Sequence, residues 1–330
     1  NEEIARVLIH RMQDQGATTC FTQGNQKSVV PVMLAIENNL PGVVELLVSV
    51  LDSNASWYPT QDASGQTAFM KAIILGFDEV ADVLEKKISL RELDEQSQVG
   101  ETALHLACKH RRSDVARQIL FRQKNHSTSA SLYSSRTIRT HHFRQTALHY
   151  AAESGINDIV GAYVDDLLPK SDSGHEKDLI QMLSLQDQHG FDVLQLSIEH
   201  QNENFAREIF EKYEMLQDSW GVNMFQDEGS HKHSALHLSL VNRMDKLSDR
   251  IFNFFAQIWA RPTVQSYQGG VSMDVVVVRE LVSAIFSGHD GRAIDIIHES
   301  ELSQEACVVD QEIGVSAFHF AILKRREVVS

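Results

Sequence analysis

Along this chain, apolar residues recur at three- and four-residue spacing in short runs, the pattern of amphipathic helices, and the runs come in pairs. The longer members are VVELLVSVL from Val43, DVARQILFR from Asp114, DIVGAYVDDLL from Asp158, FAREIFEKYEML from Phe205 and RAIDIIHES from Arg292. Before each stands a short polar break, and before the break a recurring six-residue tile. Clear copies are Thr67-Ala-Phe-Met-Lys-Ala72, Thr102-Ala-Leu-His-Leu-Ala107, Thr146-Ala-Leu-His-Tyr-Ala151, Ser234-Ala-Leu-His-Leu-Ser239 and Ser316-Ala-Phe-His-Phe-Ala321. Weaker copies begin at Val30, Asp192 and Arg279, so tiles start at 30, 67, 102, 146, 192, 234, 279 and 316. Asp-to-Gly turn signals precede several of them, at Asp62–Gly65, Asp187–Gly190 and Asp227–Gly229; Asp can bond its own backbone and Gly tolerates positive φ. The predicted unit is therefore turn, short helix, break, longer helix.

Each tile position has a physical reason. Thr or Ser at the first position can cap the short helix by accepting an amide hydrogen bond that the helix leaves unmade. Ala beside it permits close helix approach, and Leu or Phe at the third position fills the space between neighbours. One such helix pair cannot bury its own apolar face, so successive pairs must stack.

Eight tiles in order, each with its second helix signal, resemble the ankyrin repeat, whose signature is T-P-L-H-x-A. The resemblance spans nearly the whole chain and implies an all-α, ankyrin-type solenoid of stacked helix-turn-helix repeats with loop fingers, one array over residues 1–330. It implies that the tile histidines His105, His149, His237 and His319, beside Thr102, Thr146, Ser234 and Ser316, brace each tile against its neighbour. Departures are visible too. Pro stands at the second tile position only at Pro31, and most tile intervals, from 35 to 46 residues, exceed the family's period of about 33. Enlarged loops are expected there: KNHSTSASLYSSRTIRTHHFR after Arg122 and Gln123, read as Ser/Thr-rich and mobile, PKSDSGHEKD from Pro169, and RPTVQSYQGGVSM from Arg261. NEEIARVLIHRM at the start reads as the second helix of a repeat without its first, and LKRREVVS at the end as the beginning of another, so a piece of a longer protein is expected. The irregular style also resembles divergent ankyrin proteins of the kind intracellular bacteria deliver into host cytosol.

Composition narrows the functional classes. A net charge of −15 argues against nucleic acid or anionic membrane as the main partner of the whole chain. Three scattered cysteines, Cys20, Cys108 and Cys307, make no disulfide framework and fit a reducing, cytoplasmic compartment. No apolar stretch approaches the ~20 residues of a membrane span. No phosphate-loop, dinucleotide, zinc-protease or serine-hydrolase motif occurs. His105 and Cys108, three apart, are close enough for a thiolate–imidazole pair, but His149 and His237 hold the same tile position with Ala152 and Leu240 in place of the Cys. His231, His233 and His237 are the nearest approach to a zinc set and lack a fourth ligand. The expectation is a non-enzymatic scaffold with neither cofactor nor metal, acting as a monomer. The competing reading is an effector enzyme, with a Cys/His site in the irregular C-terminal half or in a domain outside this chain.

One charge feature reverses the general acidity. Between Lys109 and Arg144 stand nine basic residues, Lys109, Arg111, Arg112, Arg117, Arg122, Lys124, Arg136, Arg139 and Arg144, against Asp114 alone. With the surfaces implied by the ankyrin resemblance, this places the expected partner-binding residues at Lys109, His110, Arg111, Arg112, Arg139, His141, Phe143, Arg144, His189, Asn242 and Arg243. The expected partner is a protein, acidic or phosphorylated. The aromatic run Ile251–Trp259 reads as a second helix with an unusually buried outer face, the alternative being an exposed apolar patch that docks a partner.

Overall fold

The computed structural model describes residues 2–23, 29–52, 61–126, 129–164, 174–215 and 235–259. Ser234, His231, His233, the insertion from Arg261 and the tiles at 279 and 316, with Ser316 and His319, lie outside them; of His237 only the backbone is described. Every regular element among the described residues is helical. The chain divides into two compact units, 1–193 and 194–330.

The first unit begins with α1 (Glu2–Asp14) and a 3₁₀ turn at Thr18–Phe21. Four helix pairs follow: α2 (Pro31–Glu37) with α3 (Pro41–Asp52), α4 (Ala68–Leu75) with α5 (Asp78–Glu85), α7 (Ala103–Lys109) with α8 (Ser113–His126), and α10 (Ala147–Ser154) with α11 (Val160–Val164). The short inner helices α2, α4, α7 and α10 stack in order, and the outer helices α1, α3, α5, α8 and α11 stack behind them. Each inner helix starts one residue after the first tile position. Thr67 accepts from the Met70 N–H (3.3 Å), while at the tile without Thr or Ser the helix opens on Pro31 instead, whose missing N–H costs nothing there. The third tile position is buried in the pairs that carry it, as Phe69, Leu104 and Leu148, each stabilising the stack by roughly 2 kcal/mol of apolar burial.

Additional helices fill the enlarged intervals. They are α6 (Leu90–Leu93), α9 (Ser129–Arg136) and α12 (Gly174–Leu183), each between an outer helix and the next finger. The Ser/Thr-rich stretch expected as a mobile loop thus contains a helix, and the one expected from Pro169 turns helical at Gly174. The reason for α9 lies in two side chains. Leu132 is buried, and Arg136 is 1 % exposed. The Arg136 guanidinium lies 5.4 Å from the Tyr163 ring and donates to the Tyr163 carbonyl, while the Tyr163 hydroxyl donates back to the Arg136 carbonyl (2.6 Å). Ser135 and Gln123 both donate to Asp94, tying α9 and α8 to the end of α6. Arg136→Met leaves the Tyr163 carbonyl without that donor in a buried setting, and is expected to cost roughly 2–3 kcal/mol, read as a lower urea midpoint.

The second unit contains most of α13 (Val193–Glu199), then α14 (Glu203–Met215), α15 (Ala235–Val241) and α16 (Asp245–Trp259). Phe210 and Phe254 meet edge-to-face at 5.4 Å, and Arg250 clamps α16 to α14 through Glu214 (2.6 and 3.0 Å) and Glu211 (3.0 Å). Ile251 and Phe254 of the aromatic run are buried.

Candidate functional site

Four tight turns in the first unit form the fingers. Each closes on itself by a backbone bond, Asp62 to Gln66, Ser97 to Glu101, Thr140 to Gln145 and Asp187 to Phe191, all 2.9 Å. Asp62 and Asp187 reinforce their turns by accepting two amides each. The fingers are then linked in series. Gln98 N–H donates to Ser64 (3.0 Å), His141 N–H to Val99 (2.9 Å) and Gln188 N–H to Phe143 (2.9 Å). Glycine is required at two of these contacts: a Cβ on Gly65 would meet the Gln98 nitrogen at 2.7 Å, and one on Gly100 the His141 nitrogen at 2.7 Å.

A second ladder runs at the finger bases. Gln61 Nε2 donates to the Gln96 carbonyl (3.2 Å), Gln96 Nε2 to the Arg139 carbonyl (3.4 Å), and Arg139 Nη2 to the Gln186 carbonyl (3.1 Å). Sequence reasoning missed this ladder. Its signal is a long amide or guanidinium side chain one residue before each finger, at Gln61, Gln96, Arg139 and Gln186.

The tile histidines close the stack from inside. His105 Nδ1 accepts from the Thr102 N–H (3.2 Å), so it carries no proton, and Nε2–H donates to the Gln145 carbonyl of the next repeat (3.2 Å). His149 Nδ1 accepts from the Thr146 N–H in the same way (3.2 Å). Its Nε2 makes no hydrogen bond of ordinary geometry, although the Phe191 carbonyl, in the register of Gln145, still favours the protonated ring. Burial outweighs these carbonyls and pushes both imidazoles down to about 4. Cys108 is fully buried and its thiol is pushed up by desolvation, the opposite of what a nucleophile needs.

On the inner-helix face, Glu101 accepts from Lys109 (2.6 Å) and from the Tyr150 hydroxyl (3.2 Å), and Lys109 lies 5.5 Å from the Tyr150 ring. Burial, then Glu101, push that hydroxyl up. One repeat on, Gln145 donates to Glu153 across the same two tile positions. His110 is exposed beside Lys109 and is pushed down, first by desolvation and then by the Lys109 charge.

The nine basic residues that the sequence places together do not share one surface. Lys109, His110 and Arg111 stand at the C-terminal end of α7; Arg139, His141, Phe143 and Arg144 stand around the finger before α10, at the opposite end of the inner helices. His189 is exposed on the next finger. Arg112 reaches Asp78 (3.6 Å), Arg117 pairs with Asp114 and Asp158, and Arg122 serves the Glu85 and Ile88 carbonyls and the Glu85 carboxylate. Asn242, half-buried, and Arg243, exposed, belong to the second unit.

Two positions recur in left-handed backbone. The ninth residue after the first tile position has φ from 50° to 75° in six repeats, at Asn39, Gly76, Arg111, Gly155, Gln201 and Arg243. The second residue before the tile does the same in the four fingers, at Gly65, Gly100, Arg144 and Gly190. A non-glycine residue costs about 1 kcal/mol there.

Among the described residues no group of His, Cys, Asp and Glu side chains could hold a metal ion, and no helix is long and apolar enough to cross a membrane. The family model for ankyrin repeats in three copies matches residues 32–131 and 90–165. No curated protein matches the chain significantly. Ankyrin repeats generally act as protein–protein interaction modules and are typically not enzymes. Residues 32–165 carry ankyrin repeats, and the tiles beginning at 192 and 234 keep the same helix register and left-handed turn, every regular element among the described residues being helical.

Proposed function

We propose that the fingers and inner-helix face of the tiles at 102 and 146 recognise a protein partner, and that the chain is a cytoplasmic scaffold. The observation that carries this reading is the finger pair itself. Val99 and Phe143 are 54 % and 47 % exposed on adjacent fingers whose backbones are hydrogen-bonded to each other and to the fingers on either side. Large apolar side chains held outward on a rigid edge bring contact area to a partner with little ordering cost. His141, Arg144 and His189 surround them, with Lys109, His110 and Arg111 at the far end of α7. Arg112 and Arg139 support this surface through Asp78 and Gln186. In the second unit, Asn242 and Arg243 hold the tile positions matching His110 and Arg111 and extend the proposed set. Free cysteines, Cys20 exposed and Cys108 buried, support a reducing compartment.

The test is selection of binders from a phage-displayed random-peptide library, followed by measurement on Val99→Ser/Phe143→Ser. Selected peptides are expected to bind this variant roughly tenfold or more weakly, while its melting temperature stays near that of the parent. Undiminished binding there, with loss on Phe121→Ser of the outer helix α8, would remove the fingers as the recognition surface.

A further inference from the structure

We infer that Arg111 and Arg144 are the two anchors for an acidic peptide segment of the partner, an inference that rests on the recognition surface proposed above. Of the nine basic residues between Lys109 and Arg144, seven have partners inside the protein. Lys109 is held by Glu101, Arg112 by Asp78, Arg117 by Asp114 and Asp158, Arg122 by Glu85, Arg136 by Tyr163 and Arg139 by Gln186; Lys124 also has an internal partner. Their amides bond the Cys108 and Thr140 carbonyls, but the guanidinium groups of Arg111 and Arg144 have no hydrogen bond or ion pair to any described residue, and both residues are exposed.

These same two residues occupy left-handed backbone, at φ 57° and 55°. Equivalent positions carry Gly76 and Gly155 beside Asn39, Gln201 and Arg243 in the first case, and Gly65, Gly100 and Gly190 in the second, where Arg144 alone departs from glycine in the four fingers. Glycine would serve the backbone better, and the guanidinium placed there makes no hydrogen bond or ion pair to a described residue in return. Strain held without a structural return points to function, and the group supplied is a guanidinium. Its planar fork of N–H donors matches a carboxylate in a bidentate pair. Beside Arg144, the Arg139 guanidinium is pushed down from its ordinary value, first by desolvation and then by the charge of Arg144. An anion seated at Arg144 relieves that repulsion.

The placement sets the ligand. Arg111 follows the end of α7 and Arg144 precedes the start of α10, and these two inner helices pack side by side. A seven-residue inner helix separates their levels by at least roughly 10 Å at the helical rise, and neighbouring helices lie about 8–10 Å apart, so about four or more extended residues span the two. The occupant is therefore an extended stretch of the partner with Asp or Glu near both ends, running along the face past His110. Against a chain of net charge −15, such a segment is drawn to these uncompensated cations and repelled elsewhere.

The experiment uses the same peptide selection, run on the parent chain and on Arg111→Gly/Arg144→Gly. The double variant removes strain, so its melting temperature is expected to rise by about 2–4 °C, which separates lost binding from lost folding. Peptides enriched on the parent are expected to carry paired Asp or Glu, to bind the variant roughly tenfold or more weakly, and to weaken when those residues become Asn or Gln. Acidic peptides that bind the variant undiminished, or whose amide forms bind equally well, would overturn the inference. A phosphoserine version that binds roughly tenfold tighter than the carboxylate version would overturn the choice of ligand. Neutral peptides that lose binding only on Val99→Ser/Phe143→Ser would sink the acidic partner while leaving the finger surface standing; peptides indifferent to both double variants would sink both.

Discussion

Acidification from pH 6.5 towards pH 4 is expected to strip the first unit of much of its stability, chiefly through two histidines. His105 and His149 are held near 4 in the folded state against an ordinary 6.5. Between those values the unfolded chain binds protons that the folded chain refuses, so stability is complete above about pH 6.5 and falls as the pH drops towards the folded value. Each histidine contributes up to about 3 kcal/mol over that window, a large share of the ~5–15 kcal/mol that holds a domain together. Burial raises Glu92, Asp94 and Glu95; these favour the folded state on protonation and offset part of the loss at the acid end. The assignment is checked with His105→Gln/His149→Gln. A glutamine can keep an acceptor for the Thr102 or Thr146 amide and a donor for the next repeat, but it does not titrate. Its urea midpoint is expected to change far less between pH 7 and pH 5 than that of the parent. Equal slopes would show that the acid sensitivity lies in other groups.

Gly100→Ala is expected to cost about 2–4 kcal/mol, from two sources that a control separates. Gly100 has φ +85°, where any Cβ is unfavourable, and the new methyl would meet the His141 amide nitrogen at 2.7 Å and its ring at 2.8 Å. That nitrogen donates the bond joining adjacent fingers, so relief of the clash must pull the pair apart. Gly16 has φ +67° with nothing within 4 Å of the same methyl. Gly16→Ala should therefore show the conformational part alone, about 1 kcal/mol. Urea midpoints of the two variants measure the difference; if they coincide, the fingers are too loosely joined to serve as a rigid edge.

The stack itself was legible in the sequence because tile chemistry is local. Thr102 and His105 lie three residues apart, and their capping follows from that spacing alone. The ankyrin resemblance gives His105 a bracing role, and its ring donates to the Gln145 carbonyl of the next repeat. The loop after Arg122 misled for the opposite reason. A stretch of Ser and Thr with few apolar residues gives almost no helical period, and α9 is fixed by Arg136 meeting Tyr163, a contact 27 residues away. The basic stretch misled similarly. Its one acid in sequence is Asp114, but its neighbours in space include Asp78, Glu85 and Asp158, which only folding brings near. Gly65 and Gly190 mark two of the left-handed positions in the sequence, yet the arginines at others carry no local sign of their backbone.

The helices α6, α9 and α12 have one more consequence. Tile spacing drifts by up to eleven residues along the chain, yet in the first unit one finger follows the next with the same pair of rungs, because surplus length is spent on the stretch between an outer helix and the following turn. Insertions and deletions there change the bulk of the protein without shifting the recognition edge, so this edge can stay constant in relatives whose lengths differ widely.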